Sequence, residues 1–357
     1  MFPLSFPLRV LASATEGQKV LDPFSGRGTT LFAARLLGLE CVGVDSSPVA
    51  AHLSRAKISW STPDAVTDLA ERALKTPAPC EAAPKGEFWD WAYAPQTLED
   101  ICRIRGHLLD SSNLGISPED EDTVHLLRAL LMGVLHGPRT KSLPSYFSNQ
   151  MPRTYATKPA AAVRFWQKRE MPPEEVRVID LVRRRALFTL AELPPRVDSY
   201  VENGDSRDAL ERKENIGKKP FDWVVTSPPY FGMRSYVPDQ WLRNWFIGGS
   251  PDVEYSERGQ IGGKREVEFI EALSSVWQKA AAACHDSAKL VIRFGSLPSL
   301  KKDPAALIKE SLRASEAWTI STIKSAGVAP SGRRQADQFS TTGGYVGEVD
   351  VWAKRAK

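Results

Sequence analysis

The sequence predicts an α/β protein, a doubly wound sheet interrupted by a mostly helical insertion. Three observations predict it. A strand, a glycine-rich turn and a helix follow one another within residues 19–37; four further strand patterns, several separated by helical runs, appear after residue 220; and the stretch between has a helical rhythm. The 357 residues suffice for a large core, and 42% hydrophobic with 25% charged residues excludes disordered, collagen-like and coiled-coil chains. Lys+Arg of 47 against Asp+Glu of 43 leaves a net charge of +4, which by itself implies no polyanionic partner.

Lys19-Val20-Leu21-Asp22 is the first strand, Pro23 to Gly28 the turn, and Thr29 to Leu37 the helix. Glu40 to Asp45 is the second strand, and Pro48 opens a helix through Lys57, completing a βαβ unit. Pro/Ala-rich linkers near 77–86 lead into the insertion, where Ser117-Pro118 reads as a helix start, serine as N-cap and proline first in the helix. Strands resume at 221–226, 289–294, 318–323 and 347–352, with helices around 264–285 and 303–314 and an antiparallel element expected near the C-terminus. The expected division is 1–60, the first half of the sheet domain; 61–195, the helical insertion; and 196–357, the second half of the sheet domain.

Cys41, Cys80, Cys102 and Cys284 form no CxxC pair, so neither a disulfide framework nor a metal site is expected. The N-terminus imitates a signal peptide at Ala12-Ser13-Ala14, but it lacks a charged start and two prolines break it, which argues for a cytoplasmic protein. No apolar run is long enough to span a membrane.

Strand, Gly26-x-Gly28, helix, and then an acidic residue ending the next strand is how a Rossmann-like fold holds a nucleoside. The glycines permit close approach, and Asp45 can accept from ribose hydroxyls. A dinucleotide site would want glycine where this chain has Leu31. The second chemical element is Thr226-Ser227-Pro228-Pro229-Tyr230, at the carboxyl end of a buried strand, where open α/β sheets bind ligands. Consecutive prolines free the Ser227 and Pro228 carbonyls from any ladder, and Tyr230 offers a stacking face.

These two elements together resemble the amino-group DNA methyltransferases that use S-adenosylmethionine to make N4-methylcytosine or N6-methyladenine. The resemblance covers about 1–60 and 196–357 and implies a class I methyltransferase sheet. It assigns cofactor binding to Asp22, Pro23, Phe24, Ser25, Gly26, Gly28, Thr29, Asp45 and Ser46, with Asp205 and Ser206 at the adenine end, and catalysis to Ser227, Pro228, Pro229 and Tyr230. Phe6-Pro7-Leu8 is similar to the segment that covers the methionine end. The implied reaction flips a base from duplex DNA onto Tyr230 and methylates its amino group directly, while Ser227 and Pro228 accept the amino protons. Serine opening this motif goes mostly with cytosine N4 in that family, so cytosine is expected and adenine N6 is the alternative. Pro79-Cys80 resembles a carbon-5 nucleophile, but no strand precedes it. An RNA guanine amino-methyltransferase, an inactive nucleic-acid-binding module and a nicotinamide-dependent oxidoreductase are the remaining alternatives. A cognate restriction endonuclease is the implied protein partner.

Residues 137–169 hold seven cations and no acid, interleaved with Tyr146, Phe147, Tyr155, Phe165 and Trp166. Arg139, Lys141, Arg153 and Lys158 are candidate DNA contacts, joined by Arg333 and Arg334; Arg183-Arg184-Arg185 are further phosphate candidates.

Overall fold

The computed structural model describes residues 2–77, 83–110, 117, 120–137, 143–149, 159–212, 220–232, 240–253, 265–295, 302–327 and 347–356. The chain forms two compact units: a sheet unit of Met1–Ile58, Pro195–Ser235 and Glu257–Lys357, and a helical unit of Ser59–Pro194 and Tyr236–Ser256.

Seven strands build the sheet unit: β1 (Lys19–Asp22), β2 (Glu40–Asp45), β3 (Ser199–Asn203), β4 (Phe221–Thr226), β5 (Cys284–Phe294), β6 (Trp318–Gly327) and β7 (Glu348–Arg355). Their order is β3-β2-β1-β4-β5-β7-β6. The first five are parallel, and β7 runs antiparallel between β5 and β6. This is the doubly wound, Rossmann-like sheet that the sequence predicts. Strand residues alternate between two cores. Val20, Trp223 and Val225 face α1 (Ser5–Leu11) and α2 (Thr29–Leu36), whereas Leu21, Val224 and Leu290 face α12 (Glu266–Ala282) and α13 (Pro304–Ser315). Burial on both sides explains why these strands read as continuous apolar runs.

Two features depart from the sequence reading. β3 carries no such run, because only Val201 of its five residues is buried; pairing with β2 along Cys41 to Asp45 creates the strand. Residues 236–256, expected in the second half of the sheet domain, belong to the helical unit, because the short α11 (Trp241–Phe246) packs its rings there. Trp241 lies 5.0 Å from Phe88 and Trp245 4.6 Å from Trp89, between ring centroids. The Phe6-Pro7-Leu8 segment is helical, with proline in the first turn, where its missing N–H costs nothing. Phe6 is buried under the Arg293 guanidinium, 3.9 Å from the ring centroid, and Arg293 pairs bidentately with Asp350 across β5 and β7 at 2.7 Å for each bond.

The insertion point is pinned by one side chain. Arg35, at the end of α2 and fully buried, donates to the carbonyl of Lys57 at 3.0 Å and to that of Pro195 at 3.0 Å. These residues lie just before the chain leaves the sheet unit and just where it returns.

The helical unit contains α4 (Pro63–Lys75), α5 (Glu87–Ala92), α6 (Pro95–Leu109), α7 (Glu121–Val134), α8 (Pro159–Lys168), α9 (Val178–Leu190) and α11. Thr62 caps α4 by accepting from Ala65 N–H, with Pro63 first in the helix. α7 starts at Glu121, after a turn in which Ser117 N–H donates to the Asp120 carboxylate. Arg105 donates to the Trp245 carbonyl at 2.8 Å and lies over its ring, so that a buried cation is held by main chain and aromatic face together. Among the described residues no helix is long and apolar enough to cross a membrane.

Candidate active site

β1 and β4 are neighbours from which the strand order runs in opposite directions, which makes the crevice at their carboxyl ends the topological switch point. Two buried side chains meet there. Thr226 Oγ1, ending β4, donates to Asp22 Oδ1, ending β1, at 2.6 Å, and Phe24 N–H donates to the same oxygen at 3.1 Å. Burial raises the Asp22 carboxyl from 3.8 to about 6, against the hydrogen bonds from Thr226 and Phe24, which favour the ionised form.

The glycine turn folds back on β2. Ser25 N–H donates to the Val44 carbonyl at 2.9 Å and Gly26 N–H to Asp45 Oδ2 at 2.7 Å, while Ser54 Oγ donates to the Gly26 carbonyl at 2.9 Å. Gly26 and Gly28 have φ of +54° and +72°, a region that strongly favours glycine, and a Cβ at Gly28 would lie 3.0 Å from Ser54. Phe24 sets its ring edge-on to Trp277, 6.0 Å between centroids. Thr29 is buried at the start of α2, and Ser46 is exposed beside Asp45.

Asp45 accepts from Gly26 and Ser47 N–H, one to each carboxylate oxygen, so both oxygens keep lone pairs for further donors. Burial raises its carboxyl above the usual range. The β3 turn arrives alongside: Gly204 N–H and Asn203 Nδ2 both donate to the Asp45 carbonyl, at 3.0 and 2.9 Å. The Asn203 bond spans 158 sequence positions. Asp205 accepts from Arg207 N–H and pairs with its guanidinium at 3.0 and 2.6 Å, which holds the carboxyl below the usual range. Buried Ser206 donates to the Pro23 carbonyl and ties this turn to the glycine turn.

Beyond Thr226, Pro228 is buried and Ser227, Pro229 and Tyr230 are half-buried. Tyr230 donates its hydroxyl to Glu348 Oε1 at 2.8 Å and sets its ring edge-on to Phe294 at 5.3 Å. A Cβ at Gly295 would come within 3.1 Å of that ring, so glycine there makes room for it. Glu348, buried at the start of β7, escapes sequence reading because nothing local marks a residue 118 positions from its partner.

The chain therefore gathers Asp22 to Thr29, Asp45, Ser46, Asp205, Ser206 and Ser227 to Tyr230 at the carboxyl ends of β1 to β4. Arg139, Lys141, Arg153, Lys158, Arg333 and Arg334 lie outside the described residues, as does Cys80. Phe147 and Trp166, two of the rings interleaved with that basic stretch, are fully buried; on α8 Trp166 shares the inward face with Ala162 and Val163. Burial pushes the thiols of Cys41, Cys102 and Cys284 up to about 12, which leaves them inert as nucleophiles.

Residues 2–55 match the family described as DNA methylase, of the N6/N4 methyltransferase type. The match supports a methyltransferase. It spans α1, the glycine turn and Asp45. Among solved structures, the rRNA methyltransferase AviRa from Streptomyces viridochromogenes is similar at 13% identity and a TM-score of 0.35, over 99% of this chain and 85% of that one. An rRNA methylase from Streptococcus thermophilus is similar at 8% identity and a TM-score of 0.35, over 100% and 98% of the two chains. A search of curated proteins found no match.

S-adenosylmethionine fits the donor set of this turn. Two buried oxygens on it, Asp22 Oδ2 and Ser25 Oγ, have no hydrogen-bond partner among the described residues. The left-handed glycines present bare backbone, and Asp45 keeps acceptor capacity for hydroxyl groups.

Proposed function

We infer that the chain is an S-adenosylmethionine-dependent DNA methyltransferase acting on an exocyclic amino group, N4 of cytosine, by base flipping and direct transfer. The carrying observation is the Asp22–Thr226 hydrogen bond, which ties the strand end before the glycine turn to the strand end before Ser227-Pro228-Pro229-Tyr230. That both motif halves start from one crevice supports the reading.

Gly26 and Gly28 would admit the cofactor's backbone-facing side, Asp45 and Ser46 its ribose hydroxyls, and Asp205 its adenine amino group through lone pairs that Arg207 leaves open. When bound, S-adenosylmethionine supplies an electrophilic methyl on a sulfonium. The chain's own work falls on the substrate amine, whose lone pair is delocalised into its ring. Ser227 and the Pro228 carbonyl accept the amino protons and favour tetrahedral nitrogen, and the paired prolines hold those acceptors in place before the base arrives. Tyr230 offers a ring whose tilt is fixed by Glu348 at one end and Phe294 at its side, a platform on which a flipped base can stack. Serine at 227 favours cytosine, and a cognate restriction endonuclease is the partner that such an enzyme implies.

The deciding experiment incubates the protein with DNA and S-adenosylmethionine, digests the product to nucleosides and identifies them by mass spectrometry. N4-methylcytosine is expected. N6-methyladenine would overturn the base assignment, and methyl found only in RNA would overturn the DNA reading.

A further inference from the structure

Helix α9 buries Leu181, Val182, Ala186 and Leu190 in the helical unit and turns Arg183, Arg184, Leu187 and Phe188 outward. Phe188 is 82% exposed, the most exposed large apolar side chain among the described residues, and Leu187 is 53% exposed. A single exposed apolar residue is ordinary. The cations beside it are what give this face a meaning.

Arg183 is paired with Glu71 at 2.8 Å, so its charge is met. Arg184 and Arg185 donate instead to main-chain carbonyls, Arg184 to Pro144 at 2.6 Å and Arg185 to Ser145 at 3.0 Å, and Arg185 also faces the Tyr146 ring at 5.8 Å. A carbonyl orients a guanidinium without neutralising it, so both keep full charge and most of their N–H donors. Arg184 and Phe188 are four residues apart on a helix and share one stripe. The stripe thus combines oriented, unneutralised cations with a protruding flat ring. A membrane surface would call for a broader apolar face, and a protein interface for apolar area in which such charges are paired. Phosphates beside an unstacked base satisfy both features at once.

We propose that this face of α9 contacts nucleic acid, with Arg184 and Arg185 at backbone phosphates and Phe188 stacked on a base that has lost its pairing partner. The ligand class, nucleic acid, rests on the DNA reading above.

The test measures binding of a labelled duplex, fully paired or with one mismatch, by fluorescence anisotropy across a salt series. Phe188→Ala is expected to weaken the mismatched duplex about tenfold and the paired one less, with Phe188→Trp restoring it. Arg184→Gln is expected to reduce the slope of log affinity against log salt by about one. Both positions are exposed, and thermal melts of the variants check that the fold is kept. Wild-type affinity and slope in both variants would overturn the proposal, as would a wild-type dimer that Phe188→Ala dissociates. Weakened binding by Phe188→Ala in a protein that yields no methylated nucleoside would leave this surface standing and remove the reaction. Methylated DNA with unaltered binding by the variants would do the reverse, and a wild-type protein that binds no duplex removes both.

Discussion

In the sheet unit, Asp22, Thr226, Ser25 and Asp45 converge on the glycine turn, and Asp22 Oδ2 and Ser25 Oγ have no hydrogen-bond partner among the described residues. In the helical unit the buried or half-buried cations Arg105, Arg128 and Arg243 each donate to a main-chain carbonyl, of Trp245, Leu108 and Met132 respectively. Its buried His136 is pushed down to about 4 by burial and by Arg243, and so stays neutral. The open acceptors of the first lie on a turn between two strand ends, whereas the cations of the second tie its helices to one another. Chemistry is therefore expected from the interior of the first unit and recognition from the surface of the second.

The largest effect tests whether the interiors are separable. Trp89→Ala empties the ring cluster around Tyr93, Trp241 and Trp245, and is expected to cost the helical unit about 3–5 kcal/mol while S-adenosylmethionine affinity stays unchanged. Calorimetric melting with cofactor titration checks this, and affinity that falls in step with stability would break the comparison.

Asp22→Asn comes next. The folded chain holds a proton up to about pH 6 that the unfolded chain releases near 3.8. Stability contributed by this group therefore declines by about 3 kcal/mol as pH rises from about 4 to about 6, and is level above. Asparagine keeps an oxygen for Thr226 and Phe24 and should remove that decline. Denaturant midpoints of both proteins across this range give the difference, and identical pH profiles would refute it.

Tyr230→Ala is expected to lower kcat about a hundredfold through loss of the stacking face, with cofactor affinity retained. Glu348→Ala should lower kcat about tenfold by freeing the ring, and Glu348→Gln, which still offers an oxygen, should recover most of it. If Glu348 acts only through the tyrosine hydroxyl, Glu348→Ala adds nothing in a Tyr230→Phe background. Single-turnover rates on methylated-product assays read all of these variants.

What could be read in advance follows from where the information sits along the chain. β1, β2 and β4 are buried on both faces, so their apolar runs are contiguous, and the glycine turn and Ser227-Pro228-Pro229-Tyr230 are local patterns. β3 is an edge strand with one buried residue, and α11 carries aromatic residues that would suit either unit. The Tyr230–Glu348 contact arises because β7 inserts beside β5, a consequence of sheet order with no trace in either segment. Phe147 and Trp166 misled because composition counts rings without saying which way they face.

Arg35 has a consequence for how such a chain can change. By fixing the carbonyls of Lys57 and Pro195 it turns 59–194 into a loop whose ends are already closed, so its length enters stability only through chain entropy. That term grows with the logarithm of length, about 0.6 kcal/mol for each doubling. The sheet can thus carry a large excursion between its second and third strands at almost the expense of a short one, and what hangs there is free to diversify.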